Sequence, residues 1–226
     1  MFRILVISDI HADIENILKF LDKIKKYEFD VVICPGDLID LNLPKGFKEE
    51  EVAKLIVEEL KLLEKPLLIV PGNMDGKILD FLEREGISLH GKGIKMKDYG
   101  FYGFGGARTP FNTLLEPSEI ELENGLKNGL MQIENVKYKI QVTHMPPVRT
   151  KVDVVFSGAH VGSEIIRKFI EEVKPLVSIS AHIHEARGID KLNDTFLMNS
   201  GKFSEGYCGL IELKNGDVKG KILNLI

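Results

Sequence analysis

With 226 residues, 44% hydrophobic and 28% charged, the chain has an ordinary globular balance and enough length for a sizeable core. Its 30 Lys and Arg against 34 Asp and Glu leave a formal charge of -4, which offers no global attraction to nucleic acid or anionic membranes. No apolar run reaches the length of a membrane span, and Cys34 and Cys208, each within an apolar run, read as small buried hydrophobes rather than a disulfide framework.

Arg3 to Ser8 is apolar, partly β-branched and bounded by Asp9. It is too short for a signal peptide and reads as a buried first strand, so the expected location is the cytoplasm. Ile14, Ile17, Leu18, Leu21 and Ile24 then recur at helical spacing. Asp30 to Cys34 gives a second strand, ending at Pro35-Gly36. A helix is predicted over about 48 to 63, and Pro66 to Val70 forms a third strand that stops at Pro71-Gly72. This alternation implies right-handed crossovers and a parallel sheet. A short helix from about Gly76 to Arg84 follows, with Asp75 as its expected cap.

The middle changes character. Ile87 to Leu89, Ile94 to Met96 and Phe101 to Phe104 are short runs separated by glycines, which suggests antiparallel strands. A loop from Gly105 to Thr113 leads to a helix over about Pro117 to Met131, with Ser118 as N-cap. Lys139 to Thr143 is a strand, Gly162 to Val173 a helix and Leu176 to Ser180 a strand. The tail is strand-rich, with Asn215-Gly216 marking a hairpin turn between Gly209–Leu213 and Val218–Leu223. No repeat or linker interrupts the chain, so one domain over 1–226 with two sheets is expected.

Strand ends carry the polar residues that need a reason. Asp9 and His11 follow the first strand, Asp37 the second through Gly36, and Asn73 the third through Gly72. His144 follows the Lys139–Thr143 strand; His182 and His184 follow the Leu176–Ser180 strand. The carboxyl ends of parallel strands line the ligand crevice of an open α/β sheet, so these seven groups can converge. Taken singly, each suits a turn or cap. Together they form a ligand set for two divalent cations, with Asp37 the natural bridge and neutral imidazole and amide filling coordination without adding negative charge. Such a pair leaves net positive charge toward a phosphate, holds an attacking hydroxide and stabilises charge as the ester bond breaks.

Asp9-Ile10-His11, Gly36-Asp37, Gly72-Asn73-Met74-Asp75, Thr143-His144 and Ala181-His182-Ile183-His184 resemble, in order and spacing, the motif series of the calcineurin-like metallophosphoesterases. Asn199-Ser200-Gly201 is similar to that family's closing turn. The resemblance implies an α/β fold, a calcineurin-like β-sandwich of two mixed sheets flanked by helices. It also implies one metal on Asp9, His11, Asp37 and His184 and a second on Asp37, Asn73, His144 and His182. Mn leads the expected metals, with Fe, Zn, Ni or Co as alternatives. Homo-oligomers are common among such relatives.

Met74 stands where many members of the family carry a histidine thought to assist the leaving group. A thioether donates no proton. Relatives lacking that histidine often favour diesters, so the expected activity is hydrolysis of a small phosphodiester by a metal-bridging hydroxide. A phosphomonoesterase or protein phosphatase is the alternative enzyme, and a protein-binding scaffold the alternative from another class. A nuclease would need a basic groove that this acidic chain does not advertise. Asp13, in place of the family's usual Asn, is expected to start the first helix. Two further residues are candidates for the chemistry: His160, before the Gly162–Val173 helix, as a substitute donor, and Arg108 as a phosphate clamp. His90 receives no role.

Overall fold

Period-two alternation decides how the first strand is used. In the computed structural model, which describes Met1 to Ile226, Phe2, Ile4 and Val6 point to one apolar cluster and Leu5 and Ile7 to another. A strand buried on both faces reads as a near-continuous hydrophobic run, as Ile4 to Ile7 does.

The elements in chain order are β1 (Phe2–Val6), α1 (Ile14–Ile24), β2 (Val31–Cys34), α2 (Glu49–Lys61), β3 (Leu67–Ile69), α3 (Leu79–Arg84), β4 (Lys92–Met96) and β5 (Tyr99–Phe104). There follow α4 (Glu119–Met131), β6 (Tyr138–Thr143), α5 (Glu164–Val173), β7 (Val177–Ser180), β8 (Gly188–Leu192), β9 (Thr195–Asn199), β10 (Tyr207–Lys214) and β11 (Asp217–Asn224). One sheet has the order β11-β10-β1-β2-β3 and the other β4-β5-β6-β7-β9-β8. β1, β2 and β3 run parallel, with Leu5 opposite Val32 and Ile33 opposite Leu68. β5, β6, β7 and β9 are also parallel, while β4, β8, β10 and β11 pair antiparallel. Both sheets are therefore mixed.

Three apolar clusters hold the layers. The central one joins Ile4, Val6, Ile33 and Leu68 of the first sheet to Phe101, Ile140, Val177 and Met198 of the second. On its outer face the first sheet packs α1, α2 and α3 through Ile17, Ile56 and Phe81. The second sheet packs α4 and α5 through Leu126, Phe169 and Ile170. The result is a β-sandwich flanked by helices.

Two sequence expectations need correction, and a third gains detail. Ile87–Leu89 forms only an isolated bridge, Ser88 beside Ile69, because β3 is too short to offer a longer edge. Asp75 opens a 3-10 turn but does not cap it, its carboxylate being used elsewhere. The stretch 188–199, read only as strand-rich, is a defined hairpin of β8 and β9. Asp13 and Ser118 do cap α1 and α4, Ser118 within a capping box closed by Glu121. Cys34 and Cys208 are free and buried.

Candidate metal centre

The parallel strands of both sheets deliver their carboxyl ends to one edge of the sandwich. There the backbone turns sharply. Asp9, His11, Asp37 and His182 all have positive φ, between +51° and +67°, a region that Asp and His enter more readily than most residues. The amides of Ile10 and His11 donate to the Asp37 carbonyl at 2.8 and 3.0 Å, so the turns after β1 and β2 lock together. At Gly72 a Cβ would lie 2.0 Å from Asp37 Oδ1. Only glycine lets the β3 turn come that close to the carboxylate.

Two ligand clusters result. Asp9, His11 and His184 offer ligand atoms within 4.8 Å of one another, as do Asp37, His144 and His182. His11 Nε2 lies 3.2 Å from His184 Nε2, and His184 Nε2 lies 3.5 Å from Asp9 Oδ1. Asp37 Oδ2 stands between the clusters, 3.8 Å from His11 Nε2 and 3.3 Å from His144 Nε2. Asn73 Oδ1 joins the second cluster at 3.0 Å from His144 Nε2.

The donor set fits cations. His144 Nδ1 donates to the Pro35 carbonyl at 2.7 Å, which directs Nε2 into the second cluster. That nitrogen faces two oxygen acceptors, Asn73 Oδ1 and Asp37 Oδ2; burial opposes a charge there, but the Asp37 carboxylate raises the His144 pKa to about 9, so a proton bridges them. A bound cation would take the place of that proton among the same three atoms. His11 is comparable: its Nδ1 has no hydrogen bond, although Asp40 Oδ2 lies 3.2 Å away but out of line, and its Nε2 points into the first cluster.

Electrostatics follow from burial and close approach. Burial pushes the Asp9 carboxyl up, but His184 and His144 outweigh it and hold it below the ordinary value. Asp37 is likewise opposed by burial and carried well down by His144 and His11. Burial pulls His182 down to about 4, aided by the charge of His144, so its ring is neutral and free to ligate.

Several supporting residues act through contacts that their place in the sequence does not show. Asp75, fully buried, accepts from the amides of Leu38 (3.0 Å), Ile39 (3.1 Å) and Gly72 (2.8 Å). It therefore clasps the Asp37 turn to the Asn73 turn. Asn199 donates to the Ile183 carbonyl at 2.8 Å and so fixes the His182–His184 segment. Ser8 donates toward Asp9 Oδ2 at 2.9 Å. Spacing does not reveal contacts such as those of Asp75 and Asn199, which join separate turns. His90 is one more: its Nδ1 accepts the Gly105 amide at 3.0 Å and its ring stacks on Phe104, anchoring the loop that leads to Arg108.

Above the ligands opens a cavity of about 350 Å³. Five of the seven ligands line it, with Met74 and Arg108 beside them. His160 is not among its walls; its Nδ1 bonds Asp153 at 2.8 Å instead. A larger hollow, about 540 Å³, lies at the amino ends of β1, β2 and β3 near Arg3, Asp30 and Lys65 and carries no such cluster.

Comparison with known proteins agrees with this geometry. The family of calcineurin-like phosphoesterases matches residues 2–186, a span that holds all seven candidate ligands. The chain is 34% identical over 203 residues, 87% of each chain, to the uncharacterized protein MJ1162 of Methanocaldococcus jannaschii. One crystal structure superimposes over 99% of both chains with a TM-score of 0.82 at 18% identity. That of TT1561 from Thermus thermophilus does so over 100% of this chain and 99% of its own, with a TM-score of 0.75 at 20% identity. Because the family match spans both ligand clusters, the chain belongs to the calcineurin-like phosphoesterases, a family that works with divalent metal ions.

Proposed function

We propose that this protein hydrolyses phosphodiesters at a dinuclear metal centre. Asp9, His11 and His184 would hold one cation and Asn73, His144 and His182 the other, with Asp37 shared. When bound, the pair supplies Lewis-acid polarisation of the phosphoryl group and an activated water, and Mn is the first choice of metal.

The protein's own residues have separable tasks. Asp9 and Asp37, both held ionised, keep the ligand sphere anionic. Asp75 sets the spacing of the two turns through its backbone contacts. Arg108 stands at the cavity wall, where a guanidinium can pair with a phosphoryl oxygen.

One observation carries the preference for diesters. Met74 occupies the wall next to Asn73, and its side chain offers no proton to a departing oxygen. Apart from the ligands and Arg108, the wall holds no other ionisable side chain. A site without an acid favours esters whose leaving group departs unaided.

The test strips the protein of metal, reloads it with Mn and compares bis-p-nitrophenyl phosphate with p-nitrophenyl phosphate, using Asp37→Ala as the blank. A metal-dependent rate mainly on the diester is expected. A preference for the monoester would sink the reading and direct attention to His160 as a mobile donor. Bound metal without any rate would favour a scaffold of the same fold.

A further inference from the structure

The cavity over the metal ligands is poor in groups that could recognise a polar substrate. Its walls away from the ligands come from two separate segments, 108–113 and 155–161, and from Met74 and Ile183. Pro110, Phe111, Val155 and Val161 contribute apolar surface from both segments. The two threonines of the wall have no free hydrogen, because Thr109 Oγ1 and Thr113 Oγ1 each donate to Glu116 Oε1 at 2.7 Å. Arg108 is then the single charged side chain outside the ligand set.

Phe111 lines this cavity and is 80% exposed, so its ring is not consumed by the fold. The wall carrying Val155 and Val161 is built to hold its shape. The Val155 amide donates to the Ala159 carbonyl at 3.0 Å and the Val161 amide to the Asp153 carbonyl at 3.2 Å. The buried Asp153 carboxylate accepts the amides of Arg149, Thr150 and Gly162 and pins the base of this small hairpin. A preformed apolar wall favours a ligand that can cover it and loses little on ordering.

We propose that the substrate is a phosphodiester bearing an apolar ester group, alkyl or aryl, which lies against Phe111, Val155 and Val161 while Arg108 meets the phosphate. This rests on the phosphodiester reading and adds the class of substituent to it. A polyol group placed on the same wall would surrender hydrogen bonds to water and find no donor there, so the site selects against it.

The test is calorimetric binding to the Mn-loaded protein of four slow diesters, each with one methyl ester. The second group is methyl, n-hexyl, phenyl or 2,3-dihydroxypropyl. The hexyl or phenyl ester should bind about ten-fold or more tightly than the methyl and dihydroxypropyl esters. Tighter binding of phenyl alone identifies a flat ring as the group, and of both a hydrocarbon in general. The preference should collapse in Phe111→Ala/Val161→Ala, checked for folding by circular dichroism. Equal affinities, or a preference that survives in that variant, overturn the inference, and hydrolysis of bis-p-nitrophenyl phosphate would still stand on its own. The same preference without any diester hydrolysis would uphold the apolar wall and remove the diesterase reading.

Discussion

Asp75 shows how one side chain can govern a site it does not enter. Its carboxylate gathers amides from both sides of the gap between Asp37 and Asn73. Asp75→Asn would turn an amide NH2 toward backbone donors, at a cost of about 1–3 kcal/mol. The expected outcome is a lower melting temperature and at least ten-fold weaker Mn binding; unchanged Mn affinity would show that the clasp does not set the ligand geometry. Gly72→Ala should act more locally, because its Cβ meets Asp37 Oδ1 at 2.0 Å. Loss of metal binding with native circular dichroism is expected, and a fully loaded variant would contradict this.

His90 brings a pH dependence. Burial pulls its pKa down to about 4 from an ordinary 6.5, and the neutral ring is the form that accepts the Gly105 amide. The unfolded chain therefore binds more protons between these values. Stability from this group is complete above pH 6.5 and is lost as pH falls toward 4, by at most about 3 kcal/mol. Melting curves of the wild type and His90→Gln should diverge over that window; parallel curves would count against the role. The seven candidate ligands are legible as residues, because Asp, Asn and His after strands stand out. The roles of Asp75 and His90 are not. Leu38 and Ile39 lie 37 and 36 residues from Asp75, and Gly105 lies 15 from His90, along paths that only the fold defines.

At the scale of elements, the helices are legible in apolar spacing and caps. α4 depends on Ser118, whose side chain accepts from the Glu121 amide while the Glu121 side chain reaches back to the Ser118 amide. Ser118→Ala should cost about 1 kcal/mol, which in a domain of this size lowers the melting temperature by about 2–4 °C. Phosphoester hydrolysis should be unchanged, since α4 lies on the outer face of the second sheet; a lost rate would mean the helix is coupled to the site. Strands are less legible. β8 and β9 lack a glycine-rich turn signal as clear as Asn215-Gly216, and β9 is buried throughout, so its pattern does not alternate. The run at Ile87 has the composition of a strand but only a three-residue neighbour to pair with.

Across the whole molecule, the site joins the two sheets. Candidate ligands from β1, β2 and β3 meet those from β6 and β7 over the central core, so metal binding should stabilise the sandwich as a unit. Asp9 and Asp37 are buried near one another, and the charge of Asp37 raises the cost of ionising Asp9. Free Mn at about 100 times its dissociation constant would add about 2.7 kcal/mol. The metal-stripped protein should therefore melt several degrees lower and recover with Mn, whereas Asp37→Ala should show little recovery. An Mn-independent melting temperature in the wild type would argue against occupancy of these clusters.

The sequence by itself determined the class of fold and the seven candidate ligands, because local patterning and turn chemistry are properties of short segments. Tertiary structure alone decided the rest. It turned Asp75 away from its expected capping role, directed His160 to Asp153 and away from the cavity, and gave His90 an anchoring task. It also assembled an apolar wall from Met74, Pro110, Phe111, Val155, Val161 and Ile183. Those outcomes depend on which distant segments pack together, and contacts of that kind leave no periodic trace along the chain.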